Sequence, residues 1–162
     1  MRTIAIRPIT SEENADIAQI IRENLRAFHL DIPGTAYFDP ELDCLSAFYD
    51  ALPQKRRYFI AHGDDGRVIG GVGIAEFPGF DNCAELQKLY LSDPAKGNGF
   101  GKQLMGIAES FARSAGYSSL YLETHTNLEA AIGLYETLGF RRIDKPAAVL
   151  HSTMNRFYRK EL

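Results

Sequence analysis

Tryptophan is absent from this 162-residue chain, cysteine occurs only twice, and no apolar run approaches the roughly 20 residues that a membrane helix needs. Cys44 and Cys83 stand in no C-x-x-C pattern and at no ligand spacing with a histidine. That argues against a disulfide scaffold or a zinc site, so no metal is expected. The opening MRTIAIRPIT has neither the apolar region nor the small-residue cleavage site of a secretory leader. Together these absences predict a cytoplasmic protein without membrane partners. Positive charge is not in excess either: 18 Lys and Arg face 21 Asp and Glu, a formal net charge of -3. Such a chain sets up no field that would gather nucleic acid. Repeats, low-complexity tracts and linker-like stretches are also missing, and 45% hydrophobic content suits one domain over residues 1–162.

The hydrophobic pattern predicts alternating strands and helices. TIAIR (3–7) alternates like a strand that Pro8 ends. From Thr10 to Leu30 the period becomes helical, with Thr10 or Ser11 as cap and Ile17, Ile20, Ile21, Leu25 and Phe28 on one face. After Pro and Gly breakers, a short helix is expected over Leu42 to Leu52. RRYFIAH and RVIGGVGIAEF, joined through GDDG, read as a hairpin, and CAELQKLYL as the next strand. Leu104, Ile107, Ala108 and Phe111 mark a helix that Gly116 stops. SSLYLET is a strand, LEAAIGLYETLGF a short helix, and FRRID and AVLHSTMNRFYRKEL supply two further strand candidates. The expected fold is α/β with a mixed sheet, in the order β-α-α-β-β-β-α-β-α-β-β.

Between the third hairpin-linked strand and the next helix lies DPAKGNGFGKQLM, with glycines at 97, 99 and 101. Glycines directly ahead of a helix let the backbone come close to a phosphate held at the helix N-terminus. The dinucleotide pattern G-x-G-x-x-G fails, because the sixth position from Gly97 is Lys102. The P-loop pattern fails as well: GKQ lacks the magnesium-binding hydroxyl, and the first position is Lys96.

The stretch instead resembles the pyrophosphate loop [QR]-x-x-G-x-[GA] of the Gcn5-related N-acetyltransferase (GNAT) superfamily. Lys96-Gly97-Asn98-Gly99-Phe100-Gly101 fits it in all but the first residue, where lysine keeps the charge and loses the planar donor group. LYETLGF resembles the family's late helix and turn, FYRKEL its terminal strand, and FIAHGDDGRVIGGVGI the preceding strand pair. The resemblance implies transfer of an acetyl group from acetyl-coenzyme A to an amine of a small molecule or peptide, by direct attack in a ternary complex. It also admits a homodimer, since such enzymes often pair through their C-terminal strands.

Residue by residue, the resemblance implies that amides of about residues 97–102, with Lys96 and Lys102, hold the pyrophosphate. Leu89 and Leu91 would offer backbone to the pantetheine arm, with the Leu89 amide at the thioester carbonyl. Glu85, eleven residues before Lys96, falls where several members carry a general base. Strand alternation places Glu85, Gln87, Leu89 and Leu91 on one face. Tyr135 matches the tyrosine near the coenzyme sulfur, a competent acid while neutral, although its spacing is also that of a core residue. The family asparagine seven residues before that tyrosine is Leu128 here. Asn127 is either a cofactor contact or a helix cap. Acceptor candidates are Phe28, His29, Tyr37, Phe38, Asp39 and Tyr49, which offer aromatic walls and a carboxylate to a cationic amine. His125 reads as a polar loop residue, and His62 and His151 stand without a supporting constellation. Two other readings remain open: a non-catalytic acyl-CoA-binding module on the same scaffold, and an enzyme of nucleotide phosphates.

Overall fold

The strands expected from the alternating segments assemble into one seven-stranded sheet in a computed structural model that describes residues 4–149 and 151–162. The elements are β1 (Ala5–Pro8), α1 (Asn14–Ala27), α2 (Leu45–Asp50), β2 (Arg57–His62), β3 (Val68–Phe77), β4 (Cys83–Leu91), α3 (Phe100–Ser114), β5 (Ser119–Thr124), α4 (Glu129–Thr137), β6 (Arg141–Ile143) and β7 (Arg156–Glu161). Their order is the expected one. Thr3 of the first strand candidate and Leu150 of the last lie outside the described residues. Two segments are shorter than the sequence predicts. A 3-10 turn, Leu42–Cys44, takes the start of the second helix, and residues 144–149 and 151–155, His151 among them, lie outside any strand. Among the described residues, no helix is long and apolar enough to cross a membrane.

Strand order is β1-β2-β3-β4-β5-β7-β6, antiparallel everywhere except between β4 and β5. Helices α3 and α4 cover one face through a core that includes Val72, Ile74, Leu86, Leu104, Met105 and Tyr135. On the other face α1 and α2 bury Ile17, Ile21, Leu25, Leu45, Tyr49 and Tyr58. A smaller cluster on Phe77, Cys83, Tyr121 and Phe157 completes that side, with the Phe77 and Tyr121 rings stacked 3.9 Å apart.

Glycines inside β3 are what let two tyrosines lie on the sheet. A Cβ at Gly73 would come within 2.7 Å of Tyr49 Cζ, and one at Gly71 within 2.5 Å of Tyr58 Cε1. Glycine in a strand interior commonly marks such a close approach. The Tyr58 hydroxyl donates to the Lys88 carbonyl (2.8 Å) and the Tyr49 hydroxyl to the Gln87 carboxamide oxygen (2.6 Å). Both buried phenols thus brace β4 where its geometry changes.

Candidate active site

That change is a β-bulge. Gly73 pairs with Gln87 but Gly71 pairs with Tyr90, so β4 carries an extra residue, and Lys88 adopts φ +49°. A bulge resets the alternation of side chains. Glu85 and Gln87 face α1 and α2, whereas Leu89 and Leu91 pack with Ala84 and Leu86 on the α3 side. The expected single face for Glu85, Gln87, Leu89 and Leu91 is therefore corrected. Period-two counting fails at the residue that the left-handed backbone inserts.

The parallel pairing of β4 with β5 covers only Cys83, Ala84 and Glu85 against Ser119, Leu120 and Tyr121. Past Glu85 the strands diverge and open a cavity of about 340 Å³. Leu89, Tyr90 and Leu91 line one side, Glu123 and Thr124 another, and Leu134 and Tyr135 of α4 a third. The β4 edge from Leu86 to Leu91 has no strand partner on this side among the described residues, so it offers backbone groups to an extended, amide-rich ligand. Asn24 of α1 fixes the far end, its amide donating to the carbonyls of Leu91 (2.8 Å) and Ile20 (2.9 Å).

At the cavity mouth the glycine loop has the geometry of an anion cradle. Gly97 (φ +76°) and Gly99 (φ +79°) take left-handed backbone, and Gly99 caps α3. The amides of residues 97–102 donate to no protein acceptor among the described residues, and the first helical bond runs from Gln103 N to Gly99 O (3.3 Å). Unpaired amides and the helix dipole converge there. Lys96, Gly97, Gly99, Gly101 and Lys102 line the cavity. Asn98 braces the loop from within, donating to Ala95 O and Lys96 O at 3.1 Å each, and the Phe100 side chain is buried. Lys96 Nζ sits 2.7 Å from Asp93 and 5.2 Å over the Phe28 ring.

On the α1 and α2 side lies a buried chain of ionisable groups. Glu85 is 5% exposed and accepts a 2.6 Å hydrogen bond from Gln87 Nε2. Burial, reinforced by the Glu123 carboxylate, pushes its carboxyl up to about 7. The Glu123 carboxylate accepts from the Tyr121 hydroxyl (2.9 Å) and the His151 backbone N–H (3.2 Å), and lies 3.1 Å from His151 Nδ1. His151 Nε2 reaches Asp39 Oδ1 at 2.7 Å, and Asp39 Oδ2 meets Lys88 Nζ at 2.7 Å. Lys88 also approaches Glu41, at 3.6 Å. Burial alone would lower the His151 imidazole, but its hydrogen bonds to Asp39 and Glu123 prevail and raise it to about 9. Burial likewise opposes the charge on Asp39, yet His151 and Lys88 hold its carboxyl below the usual range.

Tyr135 is 6% exposed on the α4 face that borders the cavity, and its hydroxyl has no hydrogen-bond partner among the described residues. Burial keeps the phenol well above its ordinary range, hence neutral.

The expected acceptor residues divide. Asp39 and Tyr49 enter the buried network, and Phe28 lines the cavity. His29 is exposed at the end of α1, Phe38 is 59% exposed, and Tyr37 is half-buried, its hydroxyl accepting from Arg26. Asn127 neither lines the cavity nor caps α4, whose cap position is Leu128. Its amide donates to Phe28 O at 2.9 Å, so the capping alternative is corrected. His151, expected to stand alone, has the densest constellation of the four histidines. Lys88, Glu123 and Asn24 are also gains over the sequence reading. Among the described residues no cluster of His, Cys, Asp and Glu suits a metal.

Known proteins share both sequence and fold with this chain. The family model described as Acetyltransferase (GNAT) family matches residues 17–140. The uncharacterized N-acetyltransferase YjgM of Escherichia coli K12 is 37% identical over 141 residues, spanning 86% of this chain and 83% of that protein. A GNAT-family acetyltransferase from Staphylococcus aureus Mu50 has a similar structure, with a TM-score of 0.87 at 21% identity and 99% coverage of both chains. So does a GNAT phosphinothricin acetyltransferase from Sinorhizobium meliloti, solved in complex with AcCoA. Its TM-score is 0.77 at 21% identity, covering 99% of this chain and 89% of that one.

Proposed function

The chain belongs to the acetyltransferase (GNAT) family, and from that premise we propose that it transfers the acetyl group of acetyl-coenzyme A to a primary amine by direct attack in a ternary complex. The observation that carries this reading is a buried Glu85 carboxyl with no salt-bridge partner among the described residues, set beside a cavity whose mouth holds the glycine loop, where the amides of residues 97–102 meet no acceptor among those same residues.

The residues present fit the coenzyme. Amides of residues 97–102 meet the pyrophosphate, with Lys96 and Lys102 adding charge at the rim. The free edge of β4 receives the pantetheine amides, and the Leu89 amide beside the bulge polarises the thioester carbonyl. Glu85, with its carboxyl near neutrality, takes the proton from the incoming ammonium directly or through one water. The neutral amine nitrogen then bonds to the carbonyl carbon, the tetrahedral adduct collapses with cleavage of the carbon–sulfur bond, and the surplus proton left on nitrogen replaces the one that the sulfur receives. Tyr135, neutral and unpartnered, donates at the departing sulfur.

The test is thiol release from acetyl-coenzyme A across an amine panel, with mass-spectrometric identification of the acetylated product. Turnover that Glu85→Gln reduces supports the proposal. Coenzyme binding with no turnover across the panel would favour the non-catalytic module instead, and stabilisation by magnesium ATP rather than coenzyme A would overturn the assignment.

A further inference from the structure

The charge pattern around Glu85 constrains what kind of amine can approach it. Two cations, Lys88 and His151, face four carboxylates, those of Asp39, Glu41, Glu85 and Glu123. Both cations are consumed within the chain. Lys88 is held at 2.7 Å by Asp39, and its side chain is only 5% exposed. His151 is clamped between Asp39 at 2.7 Å and Glu123 at 3.1 Å. Gln87, the remaining donor against Glu85, is already committed to that carboxylate and to Tyr49. Among the described residues no arginine lines the cavity, and its other lysines, Lys96 and Lys102, belong to the glycine loop.

An α-amino acid carries its carboxylate two bonds from the reacting nitrogen. Bound with that nitrogen at Glu85, it would face the Glu85 and Glu123 carboxylates with no free cation to receive it, and a desolvated charge without a partner is strongly disfavoured. Resting on the acetyltransfer reading, we infer that the acceptor is a cationic amine with no carboxylate on the carbon beside its nitrogen, so that the α-amino group of a free amino acid is excluded as an acceptor. An amide-capped amino acid, a polyamine or a chain N-terminus satisfies this rule. The ion-pair chain is thus a specificity device: by saturating Lys88 and His151, Asp39 and Glu123 leave the site complementary to positive charge alone.

Matched acceptors test it: leucine, leucinamide and 3-methylbutylamine, then phenylalanine, phenylalaninamide and 2-phenylethylamine, with kcat/KM read by coenzyme A release. The decarboxylated amines are at least as basic as the amino acids, so a difference in their favour cannot come from amine availability. The amide and decarboxylated members should exceed the free amino acids by roughly 10-fold or more. In Glu41→Gln, where Lys88 loses one of its two carboxylates, that gap should narrow while the melting temperature and KM for acetyl-coenzyme A hold. Equal or better turnover of the free amino acids would overturn the inference while leaving acetyltransfer intact. Coenzyme binding without turnover of any member would overturn the acetyltransfer reading itself, and this inference with it.

Discussion

The Glu85 carboxylate accepts a 2.6 Å hydrogen bond from the Gln87 amide, and no lysine, arginine or histidine forms a salt bridge with it among the described residues. A neutral donor compensates a buried charge only in part, so the folded protein holds a proton on Glu85 up to about pH 7, against 4.5 for a free glutamate. Because the folded-state value is raised, this group's contribution to stability is full below about pH 4.5 and is lost as pH climbs through about 7. Glu85→Gln should therefore melt higher than the wild type at pH 8, by up to roughly 3 kcal/mol, and show little difference at pH 4.5. Thermal melts at the two pH values check this.

Glu123 and His151 act on Glu85 with opposite signs. The Glu123 carboxylate raises its proton affinity and the His151 imidazolium lowers it, while Lys88 also lowers it and Tyr49 and Tyr121 stay neutral. Glu123→Gln should move the acid limb of kcat/KM to lower pH, and His151→Gln should move it to higher pH, each by about 0.5–1 unit. Mere loosening of the site would not give opposite directions. Profiles for both variants with one acceptor decide the matter.

How much of this was readable from the residues depends on the range of each interaction. The glycine loop was legible because its conformation is local: left-handed Gly97 and Gly99, and unpaired amides ahead of a helix, follow from the residues in place. Element order was legible for the same reason, from periodicity. The bulge was not, since Lys88 occupies φ +49° without the glycine that would announce it, and one inserted residue reversed the facing of Leu89 and Leu91. Gly70, Gly71 and Gly73 on the neighbouring strand were the available sign of unusual packing there. His151 escaped because its partners, Asp39 and Glu123, lie 112 and 28 residues away and meet it only in the folded chain. Its strand-like surroundings also concealed a loop.

Tyr135→Phe removes a hydroxyl that bonds to no group among the described residues, so the fold should tolerate the change. We expect kcat to fall roughly 10- to 100-fold with little change in KM for acetyl-coenzyme A. Burial places the phenol's ionisation well above the ordinary range, so it should impose no alkaline limb below pH 10 in the wild type. Steady-state kinetics of the two proteins measure both points.

Gly97→Ala places a Cβ on a residue at φ +76° in open space, where only backbone strain opposes it, at about 1–2 kcal/mol. The cradle amides should turn away from the pyrophosphate. KM for acetyl-coenzyme A should rise several-fold while the acid limb set by Glu85 stays in place. Isothermal titration with coenzyme A reads the same loss as binding.

The pH dependence of kcat/KM in the wild type and in Glu85→Gln addresses the proposed chemistry most directly. A buried, only partly compensated Glu85 acting as the base predicts a single-proton fall in wild-type activity below about pH 7. In Glu85→Gln it predicts activity lower by roughly 10²–10³-fold, without that limb. Wild-type levels of activity in the variant, or the same acid limb in both proteins, would contradict it.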